Sequence, residues 1–301
     1  MTATSLPTSE LLDSFELSLR AKSRSPRTIE AYRLAVDQLD SFLADHDMPT
    51  DVNDIRKSNI EAYLVEVLEN RASATARQRY SSLTQFFRWL TAESEIEENP
   101  MTRIEPPTVV EKPVPVLTVD EIRALLDACK SGGPFEAARD EAIIRLFLDS
   151  GMRLGEMAGI KQSDIDLKLK VVVVLGKGSR LRTVPFEDKT ASVLDRYRRQ
   201  RLRHKNTERP EFWLGARGPL SKTGIYQIIR RRSRDAGLPE VHPHTFRHTF
   251  AHQWLSQGGA EGDLQRIAGW SSPQMLQRYG ASAADQRAQE AYRRIDLWDD
   301  L

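Results

Sequence analysis

The sequence predicts a mainly α-helical fold with a small antiparallel β-sheet, arranged as two domains. Three observations carry this prediction. Apolar residues recur at helical spacing from Leu11 to Leu90, a proline-rich stretch breaks the pattern between Asn99 and Val116, and only Lys170 to Phe186 reads as paired strands. The 301 residues suffice for two cores, at a prior of roughly 150 residues per domain.

In the first domain, expected over residues 1–105, four apolar stripes follow one another. They are Leu12, Phe15 and Leu19; Ile29, Val36, Leu39 and Leu43; Ile60, Tyr63, Leu64 and Val67; and Leu83, Phe86, Phe87 and Leu90. Each stripe lies on one face of a helix, so burying all four requires a compact bundle. Ser25-Pro26 opens the second helix with a capping side chain and a proline whose missing N–H costs nothing in the first turn. Pro106, Pro107, Pro113 and Pro115 then favour extended backbone, and residues 106–116 are expected to form a linker. Thr118-Val-Asp-Glu121 is a capping-box pattern, so the second domain, 117–301, begins helically. Its strands, Lys170 to Leu175 and Leu181 to Phe186, flank a Gly-Lys-Gly-Ser-Arg turn. Further helices are predicted around Thr190 to Lys205, Ser221 to Ala236, Pro243 to Gln257 and Ala284 to Ile295, with Gly237 and Gly258-Gly259 as stops.

Composition excludes several classes. Cys129 stands alone, so no internal disulfide or cysteine-cluster metal site is expected. The longest aliphatic run, Val171 to Leu175, is far shorter than the roughly 20 residues of a membrane span, and Met1 to Ser14 lacks a secretory pattern. A cytoplasmic protein with no membrane partner is the expectation. The formal net charge of +1 conceals an asymmetry: residues 1–116 are net −6 and the remainder +7. Lys168 to Arg234 holds 19 basic and 5 acidic residues, a footprint suited to a polyanion.

Individual residues sharpen this reading. Arg153 sits beside glycines at an apparent helix start, where a guanidinium fork adds to backbone N–H groups that already favour an anion. Glu156, three residues on, shares its helix face and can orient a neighbour. Lys177 is at the hairpin tip between two glycines. In His242-Pro-His-Thr-Phe-Arg247-His248, His244 and Arg247 fall one turn apart on a common face, with Phe246 and Phe250 turned toward a core. His244, His248 and His252 have i, i+4, i+8 spacing but lack the glutamate and further ligand of a zinc helix, so no metal is expected, and His248 and His252 are read as packing or supporting residues.

Taken in order, these motifs resemble those of the tyrosine recombinase (phage integrase) family, including its Xer-type and mobile-element members. Gly151-Met-Arg153-Leu-Gly-Glu156 is similar to the family's first arginine box. Gly176-Lys177-Gly178 with Arg182-Thr-Val-Pro185 is similar to its lysine hairpin, and His244-Thr-Phe-Arg247-His248 to its His-x-x-Arg box. Ile267-Ala-Gly-Trp270 and Gln277-Arg-Tyr279-Gly are similar to its closing box and nucleophile. Trp270 stands where many members have histidine; an indole can donate to a phosphate oxygen but cannot relay a proton. A separate arm-site DNA-binding domain ahead of the first helix, as in some phage integrases, is not expected.

The resemblance implies an N-terminal four-helix, SAM-like core-binding domain followed by a catalytic domain, together clamping duplex DNA at specific core sites. It implies that Tyr279 attacks a phosphodiester, giving a 3′-phosphotyrosine that a 5′-hydroxyl later resolves, without ATP, metal or other cofactor. Arg153 and Arg247 would stabilise charge, His244 would take the phenol proton and Lys177 would protonate the leaving oxygen. Glu156 and His248 would support the cluster, and Trp270 would hold the phosphate. Tyrosine, with a pKa of about 10, is only about one part in a thousand ionised at neutral pH, so it needs such help. Lys22, Arg24, Arg27, Arg77, Arg79, Arg180, Arg182, Lys222, Arg230, Arg231 and Arg232 are read as DNA contacts. The tail, with Leu297 and Trp298, is expected to dock on a neighbouring protomer of a tetramer on two duplexes; accessory or directionality proteins are further partners the resemblance allows. The expected role is integration or excision of a mobile element. The alternatives are Xer-like resolution of chromosome or plasmid dimers, a type IB topoisomerase, or a non-catalytic DNA-binding regulator.

Overall fold

A computed structural model describes residues 8–109, 115–176, 181–270, 288–289 and 292–293. The expected hairpin tip with Lys177 and Arg180, the segment with Tyr279, nearly all of the helix expected from Ala284 to Ile295, and the tail with Leu297 and Trp298 lie outside the described residues. The chain divides into two compact units, Met1–Lys112 and Pro113–Leu301.

The first unit holds α1 (Thr8–Ala21), α2 (Pro26–Asp45), α3 (Lys57–Asn70) and α4 (Ser73–Ala92). The Ser25 hydroxyl accepts the Thr28 N–H at 3.2 Å and Pro26 occupies the first turn, as the sequence signal requires. All four stripes meet in one core. Leu83, Phe86, Phe87 and Leu90 of α4 are wholly buried against Phe15, Leu39, Leu43, Ile60 and Leu64. Phe15 and Phe86 meet edge to face, with centroids 5.3 Å apart. Beyond α4 the chain stays on the bundle, because the Tyr80 hydroxyl donates to the Ile104 carbonyl and Arg77 to that of Pro107.

The second unit begins with α5 (Val119–Ala128), whose capping box is complete: the Thr118 hydroxyl accepts the Glu121 N–H and Glu121 accepts the Thr118 N–H. α6 (Pro134–Ser150) lies in the middle of the core, with Ile143, Ile144, Leu146 and Phe147 fully buried and Arg139 and Asp140 buried beside them. α7 (Leu154–Ala158) is a single turn. A three-stranded antiparallel sheet in the order β1 (Ile165–Asp166), β2 (Val171–Leu175), β3 (Leu181–Pro185) follows. Val172 stands opposite Val184, and the period-two alternation of β2 turns Val172 and Val174 into the core.

α8 (Asp188–Arg201) ends four residues before the expected limit. There the buried Arg201 guanidinium donates to the carbonyls of Thr207, Arg209, Glu211 and Phe212, holding the chain as it leaves the helix. A short hairpin, β4 (Leu214–Gly215) and β5 (Gly218–Pro219), precedes α9 (Lys222–Asp235), α10 (Pro243–Ser256) and α11 (Glu261–Ala268). α6, β1, β4, β5 and α11 are additions to the sequence expectation. Among the described residues no helix is long and apolar enough to cross a membrane.

Candidate active site

The site is built on the ends of α6 and α11, each of which stops at a left-handed glycine. α6 stops at Gly151 (φ 53°), where a methyl would stand 2.6 Å from the Phe250 ring, so both conformation and space demand glycine. α11 stops at Gly269 (φ 64°, ψ 47°) in a Schellman turn: the Gly269 N–H donates to the Arg266 carbonyl and the Trp270 N–H to that of Gln265. The last four carbonyls of a helix have no partner within it. Here the turn satisfies two, and arginines satisfy the others.

Arg182 Nε donates to the Ile267 carbonyl at 2.9 Å, Arg247 Nη2 to that of Ala268 at 2.7 Å, and Arg153 Nη2 to that of Gly269 at 3.1 Å. Three guanidiniums thus meet the negative end of the α11 dipole, the end that favours cations. Arg247 also donates through Nη1 to the Gly151 carbonyl at 2.6 Å, joining the two glycine-terminated ends. Its Cζ lies 5.1 Å from the centre of the Trp270 ring, within cation–π range.

Glu156 is the anion of the cluster. Its Oε1 accepts Arg153 Nη1 at 2.9 Å, its Oε2 accepts the Arg153 backbone N–H at 2.7 Å, and Arg182 forks across both oxygens at 2.8 Å each. Burial pushes its carboxyl pKa up, but the hydrogen bonds from Arg182 and Arg153 outweigh that and hold it below the usual carboxylate range. Three guanidiniums against one carboxylate leave the cluster positive. Lys222, at the start of α9, adds to this, since a methyl on Gly155 would stand 3.5 Å from its Nζ.

The expected residues separate accordingly. Arg153, Glu156, Arg247 and Trp270 are brought together on α7, α10 and the end of α11. His244 is exposed on the first turn of α10 and His248 is half-buried one turn on, whereas Arg247 is only 2% exposed. Lys22, Arg24, Arg27, Lys222 and Arg230 are exposed. Arg77 and Arg231 are exposed too, each with one donor on a protein acceptor.

Three expected phosphate contacts need correction. Arg79 is buried inside the first unit. Arg232 is 3% exposed and bound to Asp140, Ser131 and the Ala128 carbonyl. Arg182 has Nε, Nη1 and Nη2 all turned inward on Ile267 and Glu156. In the sequence, Ile267 to Trp270 reads as a motif with no helix predicted to lead into it, for which the acidic first turn of Glu261 and Asp263 with Gly269 after the helix was the available signal.

The chain belongs to the phage integrase family, whose model matches residues 115–286, and the family's N-terminal SAM-like domain matches residues 12–94. It is accordingly a tyrosine recombinase, an enzyme of site-specific DNA recombination. It is 28% identical over 264 residues to a tyrosine recombinase XerC of Roseiflexus castenholzii, covering 86% of this chain and 84% of the relative. In fold it is similar to the Tn1549 transposon integrase in complex with a circular intermediate DNA (TM-score 0.77, 18% identity, covering 97% of this chain and 100% of that one). It is likewise similar to a lambda integrase tetramer bound to a Holliday junction (TM-score 0.69, 21% identity, covering 89% and 78%). The first unit is therefore a SAM-like domain and the second an integrase catalytic domain.

Proposed function

We propose that Tyr279 is the nucleophile of a strand transfer carried out in a pocket of Arg153, Lys177, His244, Arg247 and Trp270. The observation that supports this reading is the meeting of Arg153 and Arg247 on the carbonyls of Gly269 and Ala268, at the start of the segment that runs on to Tyr279 nine residues after Trp270. The phenol oxygen forms a bond to phosphorus as the bond to the 5′ oxygen breaks; His244 takes the phenol proton and Lys177 supplies one to the leaving oxygen. The 5′-hydroxyl of a partner strand then reverses these steps. Each phosphodiester lost is replaced by another, so the exchange is close to thermoneutral and needs no ATP. Charge builds on the non-bridging oxygens in the transition state, where one preorganised donor contributes about 2.7 to 4 kcal/mol. Arg153 and Arg247 supply such donors, and Trp270 closes the site over Arg247.

The substrate is duplex DNA with specific core sites, held by the basic residues of both units and acted on in the cytoplasm. The active assembly is a tetramer on two duplexes, joined through the tail with Leu297 and Trp298; a solved integrase of similar fold is a tetramer bound to a Holliday junction. Movement of a mobile element is the role we favour. Resolution of chromosome or plasmid dimers is the second reading, supported by the XerC and XerD names of the relatives.

The protein incubated in EDTA with nicked genomic duplex fragments should form a covalent adduct, and Tyr279→Phe should not. The fragments recovered from the adduct identify the site and distinguish the two roles. An adduct that survives in Tyr279→Phe, or that requires a divalent metal, would overturn the proposal.

A further inference from the structure

The three arginines at the end of α11 are not equivalent. Arg153 uses Nη1 on Glu156 and Nη2 on the Gly269 carbonyl, which leaves its Nε–H and one N–H on each Nη unengaged among the described residues. Arg182 is different. Its side chain is 13% exposed, it forks across both Glu156 oxygens and its Nε is on the Ile267 carbonyl. It also packs against Gly269, where a methyl would stand 3.0 Å from Cζ, Nε and Nη1.

With three of its five N–H groups on Glu156 and Ile267 and its side chain 13% exposed, Arg182 is committed to the protein rather than presented to DNA. It can, however, decide what Glu156 does to Arg153. A carboxylate paired with Arg153 alone would neutralise the charge that a phosphate needs and would draw the fork toward itself. With Arg182 across both oxygens, the carboxylate charge is already matched, and Glu156 fixes Arg153 without consuming it.

We infer that Arg182 is a positioning residue for strand transfer, acting through Glu156 on Arg153 and through the Ile267 carbonyl on the segment that leads to Trp270 and Tyr279. This rests on the assignment of Arg153 and Tyr279 above. Arg182→Lys keeps the charge but loses the planar fork. A displacement of about 1 Å in a reacting group can slow a reaction by about 10²-fold.

The full chain is measured on a suicide duplex carrying the site recovered from the Tyr279 adduct. Arg182→Lys should form adduct about 10²-fold more slowly, at a temperature well below its melting point. Its DNA affinity and the salt dependence of that affinity should match the parent's. Glu156→Gln, close in shape to the parent residue, carries the same expectation independently. Because Arg182 acts through Glu156, Arg182→Gln and Glu156→Gln should be non-additive, the double variant slower than the worse single by no more than about 2-fold; independent effects would multiply. Cleavage by Arg182→Lys at the parent rate overturns the inference. So does a fall of about one in the salt slope, the signature of a lost phosphate contact. If the parent protein itself forms no adduct at Tyr279, the underlying assignment fails instead.

Discussion

Glu156 and Asp140 show how single carboxylates organise this protein. Because the bonds from Arg182 and Arg153 hold the Glu156 pKa below its ordinary value of 4.5, the ionised form stabilises the fold. The sign follows directly. That stabilisation is fully present above the unfolded-state pKa and is lost as pH falls through the depressed folded value. Urea midpoints of the parent protein and Glu156→Gln should therefore differ most above about pH 5, with the parent more stable, and converge as the solution is acidified through the depressed folded value. A gap that widens on acidification would contradict the ion-pair account. Cys129 has no comparable part: burial pushes its thiol up to about 12 and it donates to the Leu125 carbonyl, so it should resist thiol reagents in the folded state. At this scale the sequence reveals Arg153 with Glu156, because partners three residues apart on one helix turn meet by geometry. It hides Arg182 with Glu156, whose partners are 26 residues apart.

At the scale of elements, Asp140 joins α6 to α9. It is fully buried; one oxygen accepts Arg139 Nε at 2.9 Å, and the other accepts Arg231 Nη2 at 2.8 Å and Arg232 Nε at 2.9 Å. Asp140→Asn removes the anion and, among the described residues, leaves the buried Arg139 without a carboxylate and Arg232 with only Asp235 at 3.5 Å, a change that costs about 3 to 5 kcal/mol in comparable sites. Chemical denaturation of the full chain should show that loss in the transition of the second unit; a loss below 1 kcal/mol would contradict the assignment. Helix starts were readable where a cap is local, as at Ser25 and Thr118. The run Arg230-Arg231-Arg232 was not readable in the same way, because adjacent helical residues point about 100° apart. Arg232 turns into the core and Arg230 out to solvent, and only the packing of α9 on α6 shows which.

For the whole molecule, charge and connectivity matter most. The excess of positive charge lies beyond residue 116 and is concentrated between Lys168 and Arg234. If six to ten phosphates are contacted, affinity for the recovered site should fall by about 10³ to 10⁵ between 50 and 200 mM salt. A flat response would remove DNA contact from that stretch. The two helical units and the small sheet were legible in the amino acids alone, because apolar periodicity, caps and turns are local properties of the chain. Which arginines reach solvent, that α11 forms, and that its last carbonyls gather Arg153, Arg182 and Arg247 were decided only by tertiary structure. Hydrogen bonds between residues up to 116 positions apart depend on how helices pack, and no local pattern encodes that.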